Sequence, residues 1–445
     1  MLQSATSCTG GTLLLPLLMN DPNDRNVYEL HANEAGWMQS ILISELRRLA
    51  FCVAFLATIC IAAHAQIPGG KLEIGVLSDF SGPFADQVGH GSYIAAQMAA
   101  EDFAAESGGL GVEVVFADHQ NKPDVGLAIA RRWVDQEGVS AIVDLANSGV
   151  GLAVNALMRD RNRAMLASAT ATSDLTGKFC QPTTVQWALD TWALGNAVGR
   201  TITKMGGSSW YFISFEYALG KALQRDASEA IVKSGGVVLG SVAHPLGVSD
   251  FSSYLLQAQA SGAKVIALAD TGADAINAIR QSADFHILDG GKQLAALFLQ
   301  ITDIDALGLQ AANGLVLSEA FYWDMNDATR AFSARFAQRM EGRMPTEDQA
   351  AAYSETLAYL RAAKAANTIE GDKVVAQMRS APIDDPLFGR VVVRPDGRAV
   401  HAMYVFKVKA PAQSKGRYDV YDLLETIPPD RAFRPIDQGG CPLVK

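Results

Sequence analysis

The sequence predicts an α/β protein folded as two doubly wound lobes. Short β-branched runs alternate with helical stretches from Lys71 onward, the pattern of a parallel sheet covered by helices. The alternation pauses and restarts after Asp190, which divides it into two lobes of one class. The 445 residues, 49% of them hydrophobic, supply core enough for two ordinary domains.

In the first lobe the residues 72–77 read as a buried strand, followed by a turn-rich 78–83. A long helix over 87–105 comes next, with Tyr93, Ala96, Ala100 and Phe103 at helical spacing. Strands over 112–116, 141–145 and 164–167 alternate with helices over 124–136 and 149–158. In the second lobe, helices over 192–205, 219–233, 251–261 and 273–283 alternate with strands over 210–214, 237–241 and 265–269. Weaker strand patterns occupy 295–299 and 315–317. Beyond Phe321 two helices (327–340 and 346–366) precede short strands over 390–394 and 402–407. No linker rich in Gly, Ser or Pro separates the lobes, so short crossings between intertwined lobes fit better than beads on a string.

The first 65 residues stand apart as an upstream extension and a signal sequence. Residues 49–63 form an almost unbroken apolar run, preceded by Arg47-Arg48 and followed by Ala63-His64-Ala65. A charged segment, an apolar segment and an Ala-x-Ala site make a secretory signal. The run is short for a membrane span, which needs about 20 residues. Met38 would give a signal of ordinary length, and cleavage would leave Gln66 first. The expected location is therefore the periplasm. Loss of the three Arg and five acidic residues in 1–65 would take the net charge from -10 to -8. An acidic balance argues against nucleic acid or an anionic membrane as partner. Cys8, Cys52 and Cys60 fall in the removed part, leaving Cys180 and Cys441 as a disulfide pair or as two free thiols.

Signatures of common chemistry are missing: no Walker sequence, no Gly-x-Gly-x-x-Gly after the first strand, no His-Glu-x-x-His and no Gly-x-Ser-x-Gly. His90, His119, His244, His286 and His401 are scattered without metal spacing. The reading is not an enzyme, with neither metal nor cofactor. More informative are three loops at the carboxyl ends of first-lobe strands, where open α/β sheets bind ligands. They are Ser78-Asp79-Phe80-Ser81-Gly82-Pro83-Phe84-Ala85, Asn147-Ser148-Gly149-Val150 and Ser168-Ala169-Thr170-Ala171-Thr172-Ser173-Asp174. Hydroxyls and free N–H groups at a helix start suit a carboxylate; they also serve as ordinary helix caps.

At these loops the sequence resembles the type I periplasmic solute-binding proteins of ABC transporters, specifically the branched-chain amino acid (Leu/Ile/Val) binding family. Ser81-Gly82-Pro83, the stretch from Ala169 to Thr176, and Tyr217-Ala218-Leu219-Gly220 carry the resemblance. It implies no enzyme but a cleft that closes on a small amino acid or related carboxylate and delivers it to an ABC permease in the inner membrane. By the same resemblance Ser148 would bind the carboxylate, and Thr170, Ala171 and Thr172 would add backbone and hydroxyl contacts. Tyr217 would close from the second lobe, and Asp274 would pair with an ammonium. Phe84, Phe321 and Tyr322 would line the side-chain pocket. Asp stands where the family has Glu, Asp270 lies close by, and Ala218 replaces a Gly. The family also binds amides and aromatic carboxylates, and the fold serves ligand-sensing receptors, so leucine-like specificity does not carry over.

The implied architecture joins the lobes by three hinge crossings, near Leu189, Glu319 and Pro386. Lobe 1 would hold 66–189 plus 320–385, and lobe 2 would hold 190–319 plus 386–445. Export is the first expectation open to measurement. N-terminal sequencing of material from the periplasm should begin at Gln66; a protein that keeps residues 1–37 would refute both the signal and the Met38 start.

Overall fold

The computed structural model describes residues 67–444. The expected signal sequence and its cleavage site lie outside them. The described chain is a mixed α/β fold, as the alternation predicted. Its first sheet is parallel and five-stranded in the order β2-β1-β3-β4-β5. These strands are β1 (Lys71–Ser78), β2 (Gly111–Asp118), β3 (Ala141–Asp144), β4 (Ala164–Ala167) and β5 (Thr184–Gln186). Successive residues feed opposite faces: Val143 and Leu166 enter one apolar cluster, Ile142 and Met165 another. A parallel sheet buried on both sides needs such continuous apolar runs.

The second sheet is parallel and four-stranded, ordered β7-β6-β8-β9. It comprises β6 (Ser209–Phe215), β7 (Val237–His244), β8 (Val265–Ala269) and β9 (Gln293–Ala296). Alternation again splits it, with Val265 and Ala267 on one side and Ile266 and Leu268 on the other. The helices Thr191–Lys204 and Ala218–Lys233 pack closely together on one face.

β10 (Val316–Glu319) belongs to a separate three-stranded sheet, and after it the long helix Glu347–Ala366 packs against Gly89–Ala104 of the first lobe. Nearly every residue of that long helix is buried, including Glu347, Asp348 and Glu355. A helix over Gly371–Arg379, absent from the sequence reading, packs beside β4 and β5. The antiparallel strands β11 (Ile383–Asp385), β12 (Gly389–Val393) and β13 (Ala399–Val400) follow. They stay beside the first sheet, where Gln186 bridges Arg398 and the Gln186 N–H donates to the Gly397 carbonyl at 2.9 Å. Only β14 (Met403–Val408) pairs with β10, and β15 (Tyr421–Ile427) then pairs with β14. The third crossing therefore falls at 401–402 rather than near Pro386, and 386–400 lies with the first lobe. Short strands punctuated by Gly and Pro carry no signal for which sheet they join.

The first and third crossings are fastened to each other by one side chain. Arg398 is fully buried. It donates from Nη1 to the Leu189 carbonyl at 2.9 Å, from Nη2 to those of Ala188 (2.6 Å) and Trp187, and from Nε to that of Ala399 at 3.0 Å. Its guanidinium lies 4.2 Å from the Phe433 ring centre and 3.5 Å from an Asp190 carboxylate oxygen. Burial pulls its pKa down to about 10, so it stays charged at neutral pH. Nearby, Cys180 and Cys441 form a disulfide with Cα atoms 5.6 Å apart, tying the C-terminal tail to the first lobe.

Arg398→Met keeps the apolar stem but strips partners from several buried carbonyls and from Asp190. Uncompensated buried polar groups and charges are expensive. The variant should lose about 3–5 kcal/mol in denaturant unfolding; a change below about 1 kcal/mol would remove the guanidinium from this role.

Candidate functional site

The first loop is shaped by Asp79, which is fully buried at the end of β1. Its carboxylate accepts from the N–H groups of Gly82 (2.6 Å) and Phe84 (2.9 Å) and from the Asn121 amide (2.7 Å). This folds Ser81-Gly82-Pro83 back and sets the Phe84 ring edge-on to Phe215 of the second lobe, 6.3 Å between centres. The second loop turns through Asp144 and Leu145, both in the left-handed region at φ 78° and 63°. Asn147 then caps the helix Ser148–Asp160 by accepting from the Gly149 and Val150 N–H groups.

The third loop is bound to the second. The Ser148 hydroxyl accepts from the Thr172 N–H at 3.2 Å, and the Thr170 hydroxyl donates to the Leu145 carbonyl at 2.7 Å. The carbonyls of Thr170 and Thr172 both accept from the Gln186 amide, and that of Ala171 accepts from the Thr191 N–H. Ser148, Thr170, Ala171 and Thr172 thus stand together in the loops after β3 and β4, all buried. Gln186, which the sequence reading did not single out, holds their loop in place.

From the second lobe, Tyr217 starts the helix Ala218–Lys233, and its ring lies 5.1 Å from Phe215. Its hydroxyl is buried without a partner. Gly220 is required by packing, since a Cβ there would lie 2.2 Å from the Phe215 carbonyl oxygen. That accounts for the Gly retained in Tyr217-Ala218-Leu219-Gly220, while Ala218 is tolerated inside the helix. Gly272, at φ +64°, lets the start of the next helix approach the first loop; a Cβ would sit 2.6 Å from the Pro83 carbonyl.

Asp270 and Asp274 are separated by their partners. Both ring nitrogens of His244 face acceptors, the Asp270 carboxylate at 3.2 Å and the Pro245 carbonyl at 2.9 Å. An imidazolium satisfies both. Burial opposes that charge, yet the Asp270 hydrogen bond and charge outweigh it and raise the His244 pKa. Asp274 has no basic neighbour of this kind. One of its oxygens accepts from the Gly247 N–H at 3.0 Å and the other is unpartnered. Burial pushes its pKa up to about 6. Asp274 thus keeps one carboxyl oxygen without a hydrogen-bond partner.

The lobes are closed on each other. Gln87 of the first lobe donates to the Thr271 hydroxyl at 2.8 Å and to Asp303 at 2.7 Å. In return Gln300 of the second lobe donates to Asp348 at 2.6 Å. Ser173 donates to Asp226 at 2.6 Å, and Arg225 pairs with Asp174 at 3.0 Å. Between them lies a narrow cavity lined by Phe84, Gln87, Ala146, Ala169 and Asp348 on one side and Tyr217, Leu219, Thr271 and Phe298 on the other.

Of the residues expected from sequence, Phe84 and Tyr217 line this cavity, while Ser148, Thr170, Ala171, Thr172 and Asp274 are not among its lining. Nor are Phe321 and Tyr322: Phe321 packs among Phe332 and Phe388, while Tyr322 packs on Tyr421 and Phe406 and donates to the Tyr418 carbonyl at 2.6 Å. Both are core residues just past the second crossing, where alternate residues enter different apolar clusters. Gln87, Phe298 and Asp348 were not anticipated. Asp348 sits in the first turn of a helix, where an acidic residue is ordinary, so only the burial of the whole helix marks it out.

Several acids here are protonated more readily than usual because burial disfavours their charge. Asp144 and Asp303 are each raised to about 7, and Glu319, Glu347, Asp348 and Glu355 are raised well above the carboxylate range. The unfolded chain releases these protons near pH 4, whereas folded Asp144 and Asp303 release theirs near pH 7 and the other four hold theirs above the carboxylate range, so between pH 4 and 7 the native state binds more protons. Stability must then fall as pH rises through that window, by roughly 1.4 kcal/mol per pH unit for each such group. Thermal melts of ligand-free protein should show a higher Tm at pH 5 than at pH 7.5; a Tm that climbs over this range would contradict the burial of neutral acids.

Residues 71–417 match the family described as periplasmic binding protein. A crystal structure of a periplasmic binding protein from Burkholderia mallei is 40% identical, covers 84% of this chain and 100% of its own, and superposes with a TM-score of 0.82. A branched chain amino acid ABC transporter periplasmic ligand-binding protein from Burkholderia xenovorans LB400 is 36% identical over the same shares, with a TM-score of 0.75. Leu/Ile/Val-binding protein homolog 6 of Brucella melitensis is 28% identical over 259 residues, 56% of this chain and 63% of that protein. The chain thus matches less than two thirds of the length of that curated relative. The match to the family over most of the chain, together with two closed lobes around one cleft, shows that this chain belongs to the periplasmic binding protein family.

Proposed function

We propose that this chain is the substrate-binding component of an ABC importer, working in the periplasm and capturing a small amino acid or related carboxylate between its lobes. The observation that carries this reading is the cavity walled by both lobes, reached by the loops after β1, β3 and β4 and covered by Tyr217. Family membership and the names of the relatives support it. Among the described residues no helix is long and apolar enough to cross a membrane, so a permease would be a separate chain. Its expected partner is the ABC permease of the inner membrane, which would meet the closed face of both lobes.

In mechanism, the ligand first meets the loops of the first lobe, and rotation about the crossings brings Tyr217 and Asp274 down on it. The carboxylate would be held by neutral dipoles of the Ser148 and Thr170–Thr172 loops, and the ammonium by Asp274. An enclosed site strengthens each contact because water no longer competes. A second reading, an aromatic carboxylate, is favoured by the rings of Phe84, Tyr217 and Phe298 in the cavity wall.

Calorimetry with amino acids and benzoates separates the two. For an amino-acid ligand, Asp274→Asn should weaken binding about 30-fold or more, the effect of breaking a buried charge pair. For a benzoate it should change little. Ser148→Ala should weaken either ligand, because the carboxylate is common to both. An amino acid bound equally well by Asp274→Asn and wild type would overturn the ammonium contact.

A further inference from the structure

We infer that Asp348 is a ligand-binding residue at the side-chain end of the cleft, and that the preferred ligand is a diamino acid carrying a second ammonium for it. This rests on the amino-acid reading above and narrows it.

The cavity wall supplies the argument. In this closed form the cavity is only about 10 Å³, so a ligand would have to part its walls; those walls carry the apolar Phe84, Val88, Leu219 and Phe298, and Asp348 is the one charged residue among those lining it. No Lys or Arg lines it. Asp348 is only 2% exposed. One of its oxygens accepts from Gln300 across the cleft at 2.6 Å, and the other has no hydrogen-bond partner. A buried carboxyl oxygen left unpaired is costly, and a donor on the ligand is the natural remedy.

The surroundings specify that donor's charge. Of the other unpartnered buried oxygens in this region, those of Asp144, Asp270, Asp274, Gln300 and Glu347 are acceptors like Asp348 itself, and the Tyr217 hydroxyl is a donor. Glu347, Asp144 and Asp303 lie near enough to raise the Asp348 pKa after burial has done so, with only the Gln300 hydrogen bond opposing them. Its place in the first turn of the Glu347–Ala366 helix favours the ionised form once a counter-charge arrives. A purely aliphatic side chain would bury Asp348 without a partner. An acidic side chain would repel it. A terminal ammonium at the end of a short methylene chain satisfies both the apolar walls and the carboxylate.

Separating Asp348 from the Asp274 pole requires ligands that differ only at the far end. L-Lysine, L-ornithine, L-norleucine (the lysine side chain without its terminal ammonium) and benzoate should be titrated calorimetrically into the mature wild-type protein. Lysine or ornithine should bind at least about 10-fold tighter than norleucine, and that preference should disappear in Asp348→Asn while norleucine binding stays within a few-fold. A norleucine affinity equal to or above that of both diamino acids overturns the inference yet leaves the amino-acid reading intact. Preference retained in Asp348→Asn overturns the assignment to Asp348. Binding of benzoate with no amino acid bound overturns both readings. The wild-type comparison needs no variant, so the inference remains testable even if Asp348→Asn fails to fold.

Discussion

Everything that the two lobes do together hangs on how their crossings are held, and the Arg398 guanidinium ties two of the three together. Its donors are spent on carbonyls of Trp187, Ala188, Leu189 and Ala399, the chain just before the first crossing and just before the third. The second crossing is fixed from the same side, where the Ala320 N–H donates to Glu347 at 2.8 Å. A fully buried cation paired mostly with carbonyl dipoles contributes little net stability, since desolvation cancels much of the gain. What it supplies is register. With crossings bound to one another, the lobes are left with rotation as their cheapest motion, the hinge closure that a capturing protein needs.

The cleft carries the second constraint, an excess of buried acid. Asp303 and Asp348 each accept a glutamine amide from the opposite lobe, so at these two acids closure is held by neutral donors that cannot cancel charge. An empty closed state must therefore keep these acids protonated or accept their repulsion. A ligand bringing donors removes that penalty, and its differential affinity for the closed form is what shifts the lobes. The His244–Asp270 pair shows the contrast. Where the fold provides its own cation, one carboxylate oxygen is paired with it, whereas Asp274 accepts only from a backbone N–H.

Much of this was legible in the sequence. The two sheets follow from β-branched runs at the right spacing, and the three hydroxyl-rich loops follow from their position after strands. Tyr217 and Asp274 were reached through the resemblance. The failures share a cause, which is that local pattern does not say which lobe a segment joins. Residues 386–400 carry ordinary strand signals but pair beside β5. Phe321 and Tyr322 look like pocket aromatics, yet each faces a core just past a crossing. Asp348 resembles any acid at a helix start. Its burial depends on helix Glu347–Ala366 packing on both Gly89–Ala104 and the first sheet, contacts between segments more than 200 residues apart.

The account stands on the ligand being enclosed between the lobes, with Phe84 and Asp348 on one side of it and Tyr217 and Asp274 on the other. A crystal structure of the protein grown with its tightest-binding amino acid tests this directly. Ligand density should fill the cleft, sealed from solvent by both lobes, with its α-ammonium within hydrogen-bond distance of Asp274. Density seated instead in the outer hollow of the second lobe, among Ile202, Ile279, Leu294 and Val316, with the cleft empty, would contradict it.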